Sequence, residues 1–166
     1  MEVNTKVNLS GLILDNPVIP ASGTYGFGKE YVDFYDINIL GSISIKGTTV
    51  QRRKGNPQPR IAECYSGLIN SVGLENPGME NVIQKELKDL EKIYRKPVIA
   101  NISGFSVEEY VTLAREMDKV DNVGIIEVNI SCPNVDHGGL AFGTNADNVR
   151  ELTKKIKEVT TKPIYM

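Results

Sequence analysis

The class this sequence predicts is α/β with a parallel sheet. Short β-branched runs recur at 17–23, 41–47, 96–104, 123–131 and 162–166, and stretches of helical period separate the later ones. Strand and helix alternation of this kind implies right-handed crossovers between parallel neighbours. No low-complexity tract or linker divides the 166 residues, and 40% apolar with 24% charged side chains suits one domain.

Taken in order, "EVNTKVNLSGLILDNP" reads as two short strands around an Asn8-Leu9-Ser10-Gly11 turn, a small hairpin ahead of the main sheet. "PVIPASG" and "GSISIKG" read as the first two strands of that sheet. A helix is expected over 80–95. The strand "KPVIANISG" is followed by a helix opening at Ser106, where Ser106 and Glu109 have capping-box spacing and Tyr110, Leu113, Ala114 and Met117 share a face. After the strand "VGIIEVNIS" comes a helix over 145–159. Its stripe is Val149, Leu152, Ile156 and Val159, and Lys154, Lys155 and Lys157 suit the negative end of its dipole. "KPIYM" starts a further strand.

The stretch 47–79 holds too much glycine, proline and asparagine for a regular helix and far exceeds the usual connection of about 2–6 residues. Its apolar "IAECYSGLINSVGL" favours an ordered loop with a function.

Side chains alternate faces along a strand, so Ser42, Ser44 and Lys46 share one side and Ile43 and Ile45 the other. The same rule groups Ile99, Asn101 and Ser103, and also Glu127, Asn129 and Ser131. If the isoleucines meet helices, the polar set faces an interior or cleft. Ser22, Lys46, Asn101, Asn129 and Cys132 then gather at the carboxyl ends of the strands, where parallel α/β folds bind ligands. Amides and a hydroxyl suit a planar heterocycle, and the lysine suits an anionic group on it.

A net charge of -2 with no basic block longer than "QRRKG" argues against nucleic acid as the main partner. No apolar run approaches the roughly 18 residues of a membrane span, and "MEVNTKVNLSG" lacks a signal-peptide pattern, so a cytoplasmic location is expected. The two cysteines, Cys64 and Cys132, have no CxxC spacing, so neither a metal site nor a disulfide framework is expected. Cys64 reads as a small buried structural residue. Cys132 lies just past a strand, before Pro133, in a loop containing Gly138 and Gly139, a place that makes it reachable and reactive as nucleophile or base. His137, the only histidine, lies five residues further along that loop and reads as a solvated side chain.

"NPVIPASGTYGFG", "SIKGTT", "GNPQPR", "GLINSVGLENPG", "IANISG" and "NISCPNV", in this order, resemble the class 1 dihydroorotate dehydrogenases, above all their NAD-linked bacterial subgroup. The resemblance runs the length of the chain. It implies the amino-terminal half of an FMN-binding (β/α)8 TIM barrel, about four to five βα units after the hairpin, one domain over 1–166 ending within the fifth strand. A complete barrel takes about 250 residues, and the chain on its own is expected to be inactive.

By resemblance, Ser22, Lys46, Gly47, Asn101 and Asn129 touch FMN. Lys46, Asn70, Ser71, Val72, Gly73, Leu74, Asn129 and Asn134 hold the substrate, and Cys132 is the catalytic base. The activity implied is oxidation of dihydroorotate to orotate in pyrimidine synthesis. Electrons then pass to NAD through a partner subunit carrying FAD and an iron-sulfur cluster, with a homodimeric core inside a heterotetramer. Three rival readings are the related flavin domain of dihydropyrimidine dehydrogenase, a noncatalytic fragment, and a phosphate-binding barrel without redox chemistry. The "SGLINSVGLENPG" loop and the short hairpin favour the orotate enzyme, and Lys46, Asn129 and Cys132 together speak against degeneracy.

Overall fold

The computed structural model describes residues 3–132 and 140–166. The opening hairpin forms as expected: β1 (Val7–Leu9) pairs antiparallel with β2 (Leu12–Leu14). Its turn puts Ser10 at φ 50° and Gly11 at φ 95°, the left-handed pair of a tight two-residue connection, and the Asn8 side chain accepts from Gly11 N–H at 2.8 Å. The hairpin covers the amino ends of the later strands. A Cβ on Gly124 would lie 2.9 Å from Leu12 Cδ2 and 2.8 Å from Pro97 Cβ, so only glycine lets these elements close.

The run 17–23 does not join a ladder. Pro17 and Pro20 have no N–H to give, and the segment leads into a short helix, α1 (Ser22–Tyr25). Its tie to the next segment is one bond, Gly41 N–H to Val18 C=O at 2.9 Å.

Two further strands form a separate antiparallel hairpin inside the long loop, β3 (Ile61–Cys64) and β4 (Gly67–Asn70). Every residue of both is exposed, including Cys64, which corrects the expectation of a buried thiol. Alternation is hard to read here because neither face meets a core.

The region 80–95 is helical but irregular. α2 (Met79–Asn81) runs into a π-turn over Val82–Glu86 and then α3 (Leu87–Ile93), which buries Val82, Leu87 and Leu90.

The parallel sheet contains β5 (Val98–Ile102), β6 (Val123–Val128) and β7 (Ile164–Tyr165), in that order. Residues 43–48 extend it beyond β5 through isolated parallel bridges, Ser44 to Ile99 and Thr48 to Ile102. Helix α4 (Val107–Asp118) crosses from β5 to β6; α5 (Leu140–Gly143) and α6 (Ala146–Lys157) precede β7.

Ser106 caps α4, its Oγ accepting from Glu109 N–H at 3.3 Å, while the Glu109 carboxylate accepts from Phe105 N–H at 2.7 Å. The reciprocal bond therefore falls one residue before the cap. Tyr110, Leu113, Ala114 and Met117 are all buried, as are Leu152 and Ile156 of α6. These side chains pack on Ile43, Ile45, Val98, Ala100, Ile102, Ile126 and Val128. The isoleucine face of the sheet is thus its helix face, and the polar face points the other way.

Asp118, at the end of α4, fixes the approach to β7. Its carboxylate accepts from Thr160 Oγ1 at 2.6 Å and from the N–H groups of Thr161 at 2.9 Å and Lys162 at 3.4 Å. The Thr160 hydroxyl above all, with those amides and the Lys162 charge, holds the Asp118 carboxyl below its ordinary value of 3.8. A carboxyl depressed on folding stabilises the fold above that value and ceases to do so as pH falls through the depressed one. Asp118→Ala is expected to cost about 2 kcal/mol at neutral pH, the loss of charge-assisted hydrogen bonds. Denaturant titrations at falling pH should show the gap from the parent protein narrowing well below pH 4; a gap independent of pH would refute this role.

Candidate functional site

Register decides which polar side chains meet. Asn101 of β5 lies opposite Glu127 of β6, and Glu127 opposite Tyr165 of β7. Both residues sit on the face away from the helices. The Asn101 Nδ2 donates to Glu127 Oε1 at 2.7 Å, and the Ser44 hydroxyl donates to Oε2 of the same carboxylate at 2.7 Å. Three neighbouring segments are thereby tied through Glu127.

The segment carrying Lys46 departs from regular pairing. Ile45 N–H donates to Ile99 C=O at 3.0 Å, yet the next bond to β5 comes from Thr48 N–H to Asn101 C=O at 2.9 Å. Three residues on one segment match two on the other, so Lys46 and Gly47 form a bulge. Lys46 N–H donates instead to Gly26 C=O at 2.8 Å, which brings the α1 turn and Ser22 to this end of the sheet. The Lys46 ammonium is partly exposed and has no ion-pair partner among the described residues.

Gly47 packs against β5 with no room for a side chain. A Cβ there would sit 2.8 Å from Asn101 Oδ1 and 3.6 Å from both Ser103 Oγ and Leu74 Cδ2. Asn101 Oδ1 and Ser103 Oγ are both buried without a hydrogen-bond partner among the described residues. Buried polar atoms are nearly always paired, so these two oxygens are candidates for contact with a ligand.

Asn129 follows β6, its N–H still paired to Ile102 C=O at 2.9 Å and its C=O receiving the Tyr110 hydroxyl at 2.6 Å. The Asn129 Oδ1 accepts from Ser131 N–H at 3.2 Å, an Asx turn that bends the chain toward Cys132. That leaves the Asn129 Nδ2 as the donor of this amide. Cys132 is partly exposed, as expected of a reachable thiol. Gly143 of α5 lies on Ile130 so closely that any Cβ would collide with the Ile130 carbonyl, and Tyr110 meets Phe142 edge to face at 5.5 Å.

A cavity of about 720 Å³ opens on this face, lined among others by Ser22, Ile99, Asn101, Glu127, Asn129 and Tyr165. It takes in three of the expected residues, Ser22, Asn101 and Asn129. Lys46, Gly47, Cys132 and the stretch Asn70, Ser71, Val72, Gly73 and Leu74 are not on its wall. Gly47 and Leu74 adjoin it through Asn101 as described. Asn134 and His137 lie outside the described residues.

The 70–74 stretch is held by a residue the sequence reading passed over. Asn76 is buried, and its Oδ1 accepts from Thr49 N–H at 3.2 Å and Gly78 N–H at 2.9 Å while its Nδ2 donates to Leu74 C=O at 2.7 Å and Thr49 Oγ1 at 2.9 Å. Arg53 adds a bond from Nε to Gly73 C=O at 3.3 Å, and Arg60 pairs with Glu75. Leu74 takes φ 58°, a left-handed conformation that costs a leucine about 1–2 kcal/mol. Such a residue persists where its surroundings hold it, and Asn76 is the local restraint. Only the "ENPG" turn signal hinted at this residue.

Residues 4–166 match the family described as dihydroorotate dehydrogenase. The chain is 54% identical over 161 residues to the dihydroorotate dehydrogenase B (NAD(+)) catalytic subunit of Bacillus cytotoxicus, covering 97% of this chain and 52% of that one. The corresponding subunit of Bacillus thuringiensis is 53% identical over the same coverage. The chain therefore spans about half the length of the curated relatives it matches. A crystal structure of the dihydroorotate dehydrogenase of Eimeria tenella in complex with ferulenol superposes with a TM-score of 0.75 at 20% identity, over 93% of this chain and 43% of that one. That likeness supports the fold, a part of a TIM barrel.

Asn76→Ala should free the loop from Thr49 and leave buried donors unpaired, at a cost of about 2 kcal/mol. Hydrogen exchange is expected to rise across 70–78 while β5 and β6 stay protected; unchanged protection in the loop would refute the restraint.

Proposed function

This chain belongs to the dihydroorotate dehydrogenase family, and from that premise we propose that it forms the FMN-binding, substrate-oxidising part of an enzyme converting dihydroorotate to orotate in pyrimidine synthesis. The observation that carries the reading is the pair of buried, unpartnered oxygens on Asn101 and Ser103 beside side-chain-free Gly47, at the carboxyl end of a parallel sheet. The fit to FMN rests on the same place. A flat heterocycle with N–H and C=O edges matches an acceptor at Asn101 Oδ1, a hydroxyl at Ser103 and a donor at Asn129 Nδ2. Ser22, Lys46, Gly47, Asn101 and Asn129 would hold it. The chemistry FMN supplies there is acceptance of the hydride from C6 of the substrate.

The rest of the work belongs to the chain. Lys46 meets the substrate carboxylate with a free positive charge, and the amide of Asn129 orients the ring. Leu74 and the loop before it cover the substrate's far side, kept in place by Asn76. Asn134 binds the ring as well. Cys132 Sγ takes the C5 proton, the electrons of that C–H bond forming the C5=C6 double bond as the C6 hydride departs. A thiolate is a far stronger base near neutral pH than the hydroxyl of serine.

Electrons leave this subunit for NAD through a partner carrying FAD and an iron-sulfur cluster, around a homodimeric core in a heterotetramer. The name of the Bacillus relatives, a "catalytic subunit" linked to NAD(+), supports the coarser part of this reading, a partner subunit and NAD as acceptor. Among the described residues no helix is long and apolar enough to cross a membrane. The site of action proposed is the cytoplasm.

The test is an anaerobic visible spectrum of the full-length enzyme to which this chain contributes, mixed with dihydroorotate. Yellow colour that bleaches supports the assignment; a protein that holds no flavin, or holds it and fails to bleach, overturns it. Cys132→Ala is expected to slow bleaching by about 10²–10⁴-fold, the worth of a positioned base, with flavin absorbance retained. Bleaching at the parent rate would remove Cys132 from its role.

A further inference from the structure

Glu127 is the one carboxylate described on the polar face of the sheet that makes bonds to two neighbouring segments at once. Its oxygens are both occupied, Oε1 by Asn101 Nδ2 and Oε2 by the Ser44 hydroxyl, each at 2.7 Å. A carboxylate only accepts, so it determines which way the Asn101 amide turns. With Nδ2 drawn to Glu127, Oδ1 must point to the opposite side, and it is there that the oxygen lies buried and unpartnered, facing Gly47.

We propose that Glu127 is a positioning residue that locks the Asn101 carboxamide with its oxygen presented as an acceptor, so that the site selects a ring edge carrying an N–H donor. This inference rests on the flavin reading above and deepens it. Glu127 need not touch the ligand to act, since it works through the orientation of a neighbour. Its second bond, to Ser44, steadies the carboxylate from the strand beyond β5. That strand is the one whose bulge creates the Gly47 cradle, so one side chain couples the shape of the cradle to the polarity of its wall.

A glutamine at 127 removes the constraint. Its amide can donate to Asn101 Oδ1 as readily as accept from Nδ2, which allows the Asn101 group to turn over and offer a donor where an acceptor is needed. The charge is lost, but size and packing are kept. Ser44→Ala removes only the outer support and leaves the Asn101 bond intact.

The experiment is a double-mutant cycle in the flavin-loaded holoenzyme. FMN dissociation constants and the position of the flavin absorption bands are measured for the parent, Glu127→Gln, Asn101→Ala, the combination of both, and Ser44→Ala. Glu127→Gln and Asn101→Ala are each expected to weaken FMN binding by about tenfold, the worth of one hydrogen bond to the ligand, and to shift the absorption bands alike. The combined variant is expected to match Asn101→Ala within about twofold, because Glu127 has nothing left to orient. Ser44→Ala should lie within about threefold of the parent. Losses that multiply in the combined variant overturn the proposal, because Glu127 would then act independently of Asn101. So does an unchanged affinity and spectrum in Glu127→Gln. Thermal melting of each apoprotein separates the outcomes from unfolding: a Glu127→Gln variant that has lost its cooperative transition assigns Glu127 a purely structural role and overturns the proposal too. A full-length parent enzyme that takes up no FMN would instead defeat the flavin assignment itself.

Discussion

The pairing of Asn101 opposite Glu127 in the parallel ladder between β5 and β6 governs the site. A side chain period of two residues leaves no intermediate setting, since a slip by one would send Asn101 into the helix layer and bring an isoleucine or alanine onto the polar face. The register is held from the other side, where Val98, Ala100, Ile102, Ile126 and Val128 pack on α4 and α6. Burying the valines and isoleucines among them is worth about 1.5–3 kcal/mol each, together more than the two polar contacts to Glu127 across the sheet. The apolar layer therefore places the polar one, and the site inherits its geometry from packing it does not touch.

On the polar face the same ladder produces an asymmetry. Glu127 satisfies the donor end of Asn101 and leaves the acceptor end bare, while the bulge at Lys46 and Gly47 brings a surface without a side chain against that bare end. A bulge re-aims one side chain without ending the pairing. Here it sends the Lys46 backbone to Gly26 and draws the α1 turn toward the sheet, so that residues from three stretches far apart in sequence converge. Leaving buried polar atoms unpaired destabilises a fold, so these two oxygens call for an explanation that the apolar packing does not supply.

The long loop after the bulge follows a different logic. It carries an exposed hairpin, β3 and β4, that contributes nothing to the core, and it is anchored at its far end by Asn76 and by bonds from Arg53. The anchoring carries Leu74 back over Gly47. A loop built in this way separates two tasks: its base is rigid enough to hold a left-handed leucine, and its tip is free to meet something outside the sheet.

Much of this was legible in the sequence because it is local. The Ser106 cap, the buried stripes of α4 and α6, the Ser10-Gly11 turn and the division of Ile43, Ile45 from Ser44, Lys46 each follow from residues within a few positions of one another. The polar ends of the strands and the thiol past β6 were visible for the same reason. The segment 17–23 was misread because β-branched residues outweighed two prolines that cannot pair. The tertiary structure alone decided the bulge, the Asn76 clasp and the two bonds of Glu127, whose partners stand 26 and 83 residues away along the chain. Periodicity tells which face a side chain takes; only the register of one strand on another tells which atom it meets there.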